Sequence, residues 1–309
     1  MDVLSWLLDS DPVLRWQLLR DLAGAPAPAV AAERARITTE GWGARLLAAR
    51  DADGQWAGGA CFPAGFAGDF SDGQPWTSTL PVLVLLREFG IDPADPLVQD
   101  AIELVERNCH WEYDGSPLFV GEVEPCINGR IVTLGAYFGR PVDALVQRLL
   151  GEQLADGGWN CEAENGSVRS SFNTTICVLE GLLEYERSGG TVDVTDARRR
   201  GEEYLLERRL MYRLSTGQVV DETWLGFAFP TQWHYDVLWG LEYFRAVGGA
   251  VDARLSEAVE LVRRRRGVDG RWVLDRVHRG AVAVDLGEAV GEASRWVTLR
   301  ALRVLGWVG

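Results

Sequence analysis

Gln153-Leu154-Ala155-Asp156-Gly157-Gly158-Trp159 decides how the rest of the chain is read. Asp-Gly is a turn signal, because glycine accepts positive φ and aspartate hydrogen-bonds the backbone two residues on. The same turn returns as Asp53-Gly54-Gln55-Trp56 and Asp269-Gly270-Arg271-Trp272. A scrambled copy lies at Trp111 with Asp114-Gly115, and a degenerate one at Trp224 after Asp221-Glu222. An apolar block follows each copy after a loop of variable length: Val82 to Phe89, Ile131 to Phe138, Val178 to Tyr185, Val237 to Phe244 and Thr298 to Leu305. These blocks are apolar around most of a helical circumference, as expected of helices packed on both sides. Most end at glycine, a usual helix terminator.

A more polar segment precedes each turn: Ala44 to Arg50, Leu97 to Arg107, Val142 to Gln153, Ala197 to Arg209 and Leu255 to Arg265. Their Glu/Arg faces read as solvated outer surface. Outer amphipathic helices alternating with apolar inner ones predict an all-α fold, an α/α toroid of about five hairpins over residues 41–309. Residues 1–40 fit the repeat poorly and are expected to form a helical cap or an incomplete first hairpin. Asp11-Pro12 opens a helix to about Asp21, Ala25 to Pro28 is a stiff link, and a second short helix follows.

Gln153-x-x-x-Gly157-x-Trp159 matches the QW motif of squalene–hopene cyclases. Arg50, Gly54, Trp56 and Arg266, Gly270, Trp272 keep its spacing with arginine in the first position. Over residues 40 to 307 the chain resembles the terpene cyclase and protein prenyltransferase superfamily. The resemblance implies a toroid with an apolar, isoprenoid-like substrate in a central cavity. It also implies a helical partner chain, as prenyltransferase toroids have. The catalytic signatures of those families are missing. There is no Asp-x-Asp-Asp acid motif: Asp51-Ala52-Asp53-Gly54 breaks it at the last position. A prenyltransferase zinc site takes Asp and Cys from one repeat and His from the next. His234 matches that histidine, but Ser170-Ser171-Phe172-Asn173 supplies neither other ligand.

Candidate site residues come from the starts of the inner helices, which would line the mouth of a toroid. Three residues before each block stand Thr79, Asn128, Thr175, His234 and Arg295; one residue earlier stand Ser78, Ile127, Thr174, Trp233 and Ser294. The Ser and Thr among them suit N-capping. His234 and Arg295 are poor caps, and with Asn128 and Thr175 they would form a polar collar around an apolar cavity. Asp236, partly desolvated and helped by His234, is the candidate general acid; the alternative is a surface aspartate favoured by the helix dipole. Arg130, Arg169 and Arg295 either hold a diphosphate or carboxylate or pair with acids. Trp76, Phe172, Trp233, Tyr235, Trp239 and Trp296 either stabilise a carbocation by cation–π contact or fill the ring.

The composition narrows the alternatives. With no lysine, 31 arginines, 45 acids and a formal charge of −14, the chain is poorly suited to nucleic acid or an anionic membrane surface. No apolar stretch approaches the length of a membrane span. The acidic start lacks a signal-peptide pattern, so a cytoplasmic location with reduced thiols is expected. No phosphate-binding glycine loop or nucleotide fingerprint is present, and no cofactor is expected. Cys126 and His234 both stand at inner-helix starts and could converge. Five scattered cysteines and three histidines nevertheless make no evident ligand set, and no metal is assigned. Cys109 and Cys177 read as buried small apolar residues. The expected function is a cyclase- or transferase-like protein with a non-standard acid. A non-catalytic ligand- or protein-binding toroid and a carbohydrate-active α/α toroid, with paired carboxylates in a groove, are the alternatives.

Overall fold

The structure, a computed structural model, describes residues 2–309. Among these residues it is all-helical: no strand forms, only isolated bridges such as Trp56 with Gly59. No helix is long and apolar enough to cross a membrane. The chain divides into two compact units, Met1–Leu118 with Val268–Leu299 and Phe119–Gly267 with Arg300–Gly309.

The first unit holds α1 (Val3–Leu8), α2 (Pro12–Asp21), α3 (Ala27–Ala35), α4 (Gly41–Ala48), α5 (Thr79–Phe89) and α6 (Pro96–Asn108). Pro12 occupies the first position of α2, where its missing N–H costs nothing, and Asp11 caps the helix through the Val13 N–H at 3.1 Å. The same carboxylate accepts the Trp42 N–H at 2.8 Å, which ties α2 to the start of α4. Trp16 of α2 donates its indole N–H to the Phe89 carbonyl at 2.8 Å, where α5 ends. Residues 2–40 therefore pack into the body of this unit through α4 and α5.

The second unit holds α7 (Pro125–Phe138), α8 (Asp143–Gly151), α9 (Phe172–Arg187), α10 (Thr195–Glu207), α11 (Val237–Val247) and α12 (Ser256–Arg264); α13 (Arg295–Val308) is the last helix of the chain. At its heart α7 and α9 lie backbone to backbone. A Cβ on Gly129 would sit 2.6 Å from the Cys177 carbonyl oxygen, and one on Gly181 would strike the Gly129 carbonyl. Only glycine allows helices this close.

The Asp-Gly turns behave as their residue types dictate. Gly54, Gly157 and Gly270 all have positive φ. The tryptophan after each turn is buried, with Trp56, Trp159 and Trp272 no more than 1% exposed. Trp56 donates its indole N–H to the Leu46 carbonyl at 2.7 Å, and Trp159 donates to the Leu149 carbonyl at 2.7 Å. Each thus binds a carbonyl in the last turn of the preceding helix. Gln153 of the QW pattern donates to the carbonyls of Gly157 (2.6 Å) and Ala197 (2.8 Å), fastening the turn to the first turn of α10.

Candidate functional site

A hydrogen-bonded latch recurs at the starts of α5, α7, α9 and α13. In the second unit the Trp159 N–H donates to Thr175 Oγ1 at 3.0 Å, and Thr175 Oγ1 returns a bond to the Trp159 carbonyl at 3.4 Å. In the first unit the Trp56 N–H donates to Thr79 Oγ1 at 3.2 Å, and that hydroxyl donates to the Gly59 carbonyl at 2.7 Å. Trp272 and Thr298 repeat the arrangement at 3.0 and 3.4 Å. Asn128 does the same with an amide: its Oδ1 accepts the Glu122 N–H at 2.8 Å and its Nδ2 donates to the Glu122 carbonyl at 2.9 Å. Thr79, Asn128, Thr175 and Thr298 are all fully buried. The polar groups expected to form a collar at Asn128 and Thr175 are thus consumed in fastening each helix to its loop.

The latch also corrects the register of the last repeat. The position equivalent to Thr79 and Thr175 is Thr298, not Arg295, because Thr298 is the residue bonded to the turn tryptophan. Arg295 stands three residues earlier, as the first residue of α13. Its guanidinium lies 4.8 Å from the Trp6 ring and donates to the Trp6 and Asp9 carbonyls at 3.4 and 3.2 Å, so it holds α1. Its backbone N–H donates to Glu288 Oε1 at 2.6 Å. Trp296, 2% exposed, stacks on Phe89 at 5.6 Å and lies 6.4 Å from Trp42. Trp76, 6% exposed, donates its indole N–H to the Arg279 carbonyl at 3.1 Å. These three residues are packing groups of the first unit.

The degenerate repeat departs further. Helix α11 begins at Val237, so His234 and Asp236 are not on it together: His234 lies in the preceding turn and Asp236 is the N-cap. Asp236 is fully buried, neither a surface aspartate nor one facing an open site. Its Oδ1 accepts the Trp239 N–H at 2.8 Å and its Oδ2 the Ala228 N–H at 3.2 Å. The carboxylate caps the helix and clamps the loop before it, as the hydroxyl latches do elsewhere.

Around this segment the second unit gathers the remaining candidates. Arg130 donates to the Gln232 carbonyl at 2.6 Å, lies 4.7 Å from the Trp239 ring and sits 3.8 Å from Glu180. Tyr235 is buried, donating its hydroxyl to the Leu210 carbonyl at 3.0 Å and its backbone N–H to Asn173 Oδ1 at 2.7 Å. Phe172 packs against Tyr204, Trp224 and Tyr235. Trp233, by contrast, is 46% exposed and stacks on His234 with ring centroids 3.7 Å apart.

One grouping escaped the sequence reading. Cys161 Sγ lies 2.8 Å from Cys126 Sγ, whose thiol is 3.4 Å from Glu124 Oε2. Among the described residues the group at ligating spacing is Glu124, Cys126 and Cys161, and His234 is not part of it. The bond shared with Cys161, followed by burial, holds the Cys126 thiol well above the ordinary cysteine range. Burial raises the nearby Cys177 thiol to about 11, against the opposing pull of Arg130. The acid-x-Cys spacing of Glu124-Pro125-Cys126 was a readable signal; its meeting with a cysteine 35 residues on was not.

No family model matches the sequence, and no curated protein matches it. A solved structure described as "Crystal structure of a protein from Actinoplanes" is similar to this chain at 16% identity and a TM-score of 0.46, over 97% of this chain and 90% of that one.

Proposed function

We propose that the chain binds an apolar, isoprenoid-like ligand on the α/α toroid that its QW-like repeats imply, and that it does so without the proton-initiated chemistry of the cyclases. The observation that carries this reading is the fate of the polar helix starts. Thr79, Asn128, Thr175, Thr298 and Asp236 all spend their side chains on neighbouring backbone groups. What the segment before α11 offers a ligand is aromatic surface, the exposed face of Trp233 stacked on His234. Such a surface suits an apolar chain. Asp236 is a poor general acid in this arrangement, since both of its carboxylate oxygens already accept backbone N–H groups. The reading is therefore of binding rather than of Asp236-driven cyclisation.

Solvent extraction of the purified protein followed by mass spectrometry is expected to release an isoprenoid. Tryptophan fluorescence should also respond saturably to C15–C30 polyprenols. Trp233→Ala is expected to weaken that binding about tenfold, equivalent to about 1.4 kcal/mol of lost contact. Absence of both a retained lipid and a saturable response would overturn the proposal.

A further inference from the structure

Three groups that sequence keeps apart meet at one place in the second unit. Glu124 precedes the proline that opens α7, Cys126 is the second residue of that helix, and Cys161 follows the Trp159 turn. The loop carrying Cys161 is fixed. Asn160 accepts the Glu162 N–H at 2.9 Å and donates to the Arg169 carbonyl at 2.6 Å, and the Cys161 N–H donates to Thr174 Oγ1 at 3.3 Å. Helix α7 is fixed through Asn128. Two well-anchored segments thus bring two free thiols and a carboxylate to within 4.8 Å of one another.

We propose that Glu124, Cys126 and Cys161 bind one thiophilic divalent cation of the zinc type through Oε, Sγ and Sγ. The fourth tetrahedral position is then left for water or an incoming ligand atom. Two sulfur ligands disfavour magnesium and calcium, while a carboxylate with two thiolates is a donor set that zinc accepts. Ligand atoms around tetrahedral zinc lie about 3.5–3.8 Å apart, given bonds of about 2.3 Å to sulfur and about 2.0 Å to oxygen. The present spacings of 2.8 and 3.4 Å need the sulfurs to part by only about 1 Å, within reach of a side-chain rotation. On binding, two S–H bonds break, two metal–sulfur bonds form and both protons pass to solvent.

Titration of the reduced, metal-free full chain with Co2+ tests the site. One equivalent is expected to give sulfur-to-cobalt charge-transfer absorption with tetrahedral d–d bands, and Zn2+ is expected to displace it. Cys161→Ser should cut the charge-transfer intensity to about half, or abolish binding, since one thiolate of two remains. Glu124→Gln should weaken Co2+ binding by at least about tenfold, in line with loss of one ligand. Cys61→Ser, outside the cluster, should leave the spectrum intact, and far-UV circular dichroism confirms that each variant is folded. The proposal is overturned if wild type gives no such bands. It is equally overturned if Cys61→Ser loses them as fully as Cys161→Ser does, or if thiol titration of the aerobic protein shows that Cys126 and Cys161 are joined as a disulfide the cation does not compete with.

Discussion

Helices α7 and α11 are held in the second unit by opposite means, though both pack against α9. Helix α7 meets it through glycine: backbone touches backbone at Gly129 and Gly181, and an uncharged amide latch at Asn128 fixes the helix start. Helix α11 has no such latch. It is held by charge, with Asp236 clamping its N-terminus and Glu242 sitting among arginines, 2.6 Å from Arg300 and 3.8 Å from both Arg303 and Arg245. Arg300 and Arg303 are only 6% and 8% exposed. At α7 shape and a neutral latch dominate, with one ion pair, Arg130 to Glu180 at 3.8 Å, beside them. At α11 a buried ion cluster takes their place, and it responds to pH.

The sharpest way to break this contrast is Glu242→Ala. Removing the anion takes a counter-charge away from buried guanidinium groups, which costs about 3–5 kcal/mol. Chemical denaturation at pH 7 reads the loss. Burial by itself would push the Glu242 carboxyl up, but Arg300, Arg303 and Arg245 outweigh it and hold the carboxyl below the ordinary 4.5. A group depressed on folding contributes its stability in full above 4.5 and loses it as pH falls through the lower folded value. Wild type should therefore lose more stability than the variant on acidification below that point. An unchanged acid limb would show that the charges do not hold α11.

Much of this architecture was legible in the sequence, and the illegible parts share a cause. The turn glycines, the turn tryptophans and the apolar blocks are local signals, and the helices stand close to where those signals place them: Leu97 to Arg107 was expected and Pro96–Asn108 is found. The start of α11 was misread because His234 and Asp236 were placed in its first turn, whereas Gln232 takes a positive φ and Asp236 caps a helix that begins only at Val237. The register of α13 was misread because Arg295 and Thr298 sit one helical turn apart and apolar residues surround both. Only the partner of Thr298, a tryptophan N–H 26 residues back, separates the two choices. The Cys126–Cys161 meeting is illegible for the same reason, since it is fixed by the pairing of α7 with α9 and not by either segment.

That pairing supplies the next test. Gly129→Ala places a methyl group 2.6 Å from the Cys177 carbonyl oxygen and 2.7 Å from the Val178 Cα, both backbone atoms that cannot rotate away. The helices must separate, at a cost of about 2–3 kcal/mol, despite alanine's better helix propensity. Gly151, near the end of α8 and with open space where a Cβ would go, is the control: Gly151→Ala should be neutral or slightly stabilising. If both variants behaved alike, the close approach of α7 to α9 would not be what organises this unit.

The smallest effect concerns the latch itself. Thr175→Val keeps the shape and the methyl group but deletes Oγ1, leaving the buried Trp159 N–H without its acceptor. An orphaned buried donor costs about 1–3 kcal/mol, and the well-packed valine recovers little of that, so a loss of about 1.5 kcal/mol is expected. Thr175→Ser restores the acceptor while giving up one methyl group, so it should retain more stability than valine. That ordering separates the two explanations of a polar residue at this position. Serine above valine means the hydroxyl is the latch; valine above serine would mean that the site values only volume, and that the recurring threonines at the helix starts were packing residues all along.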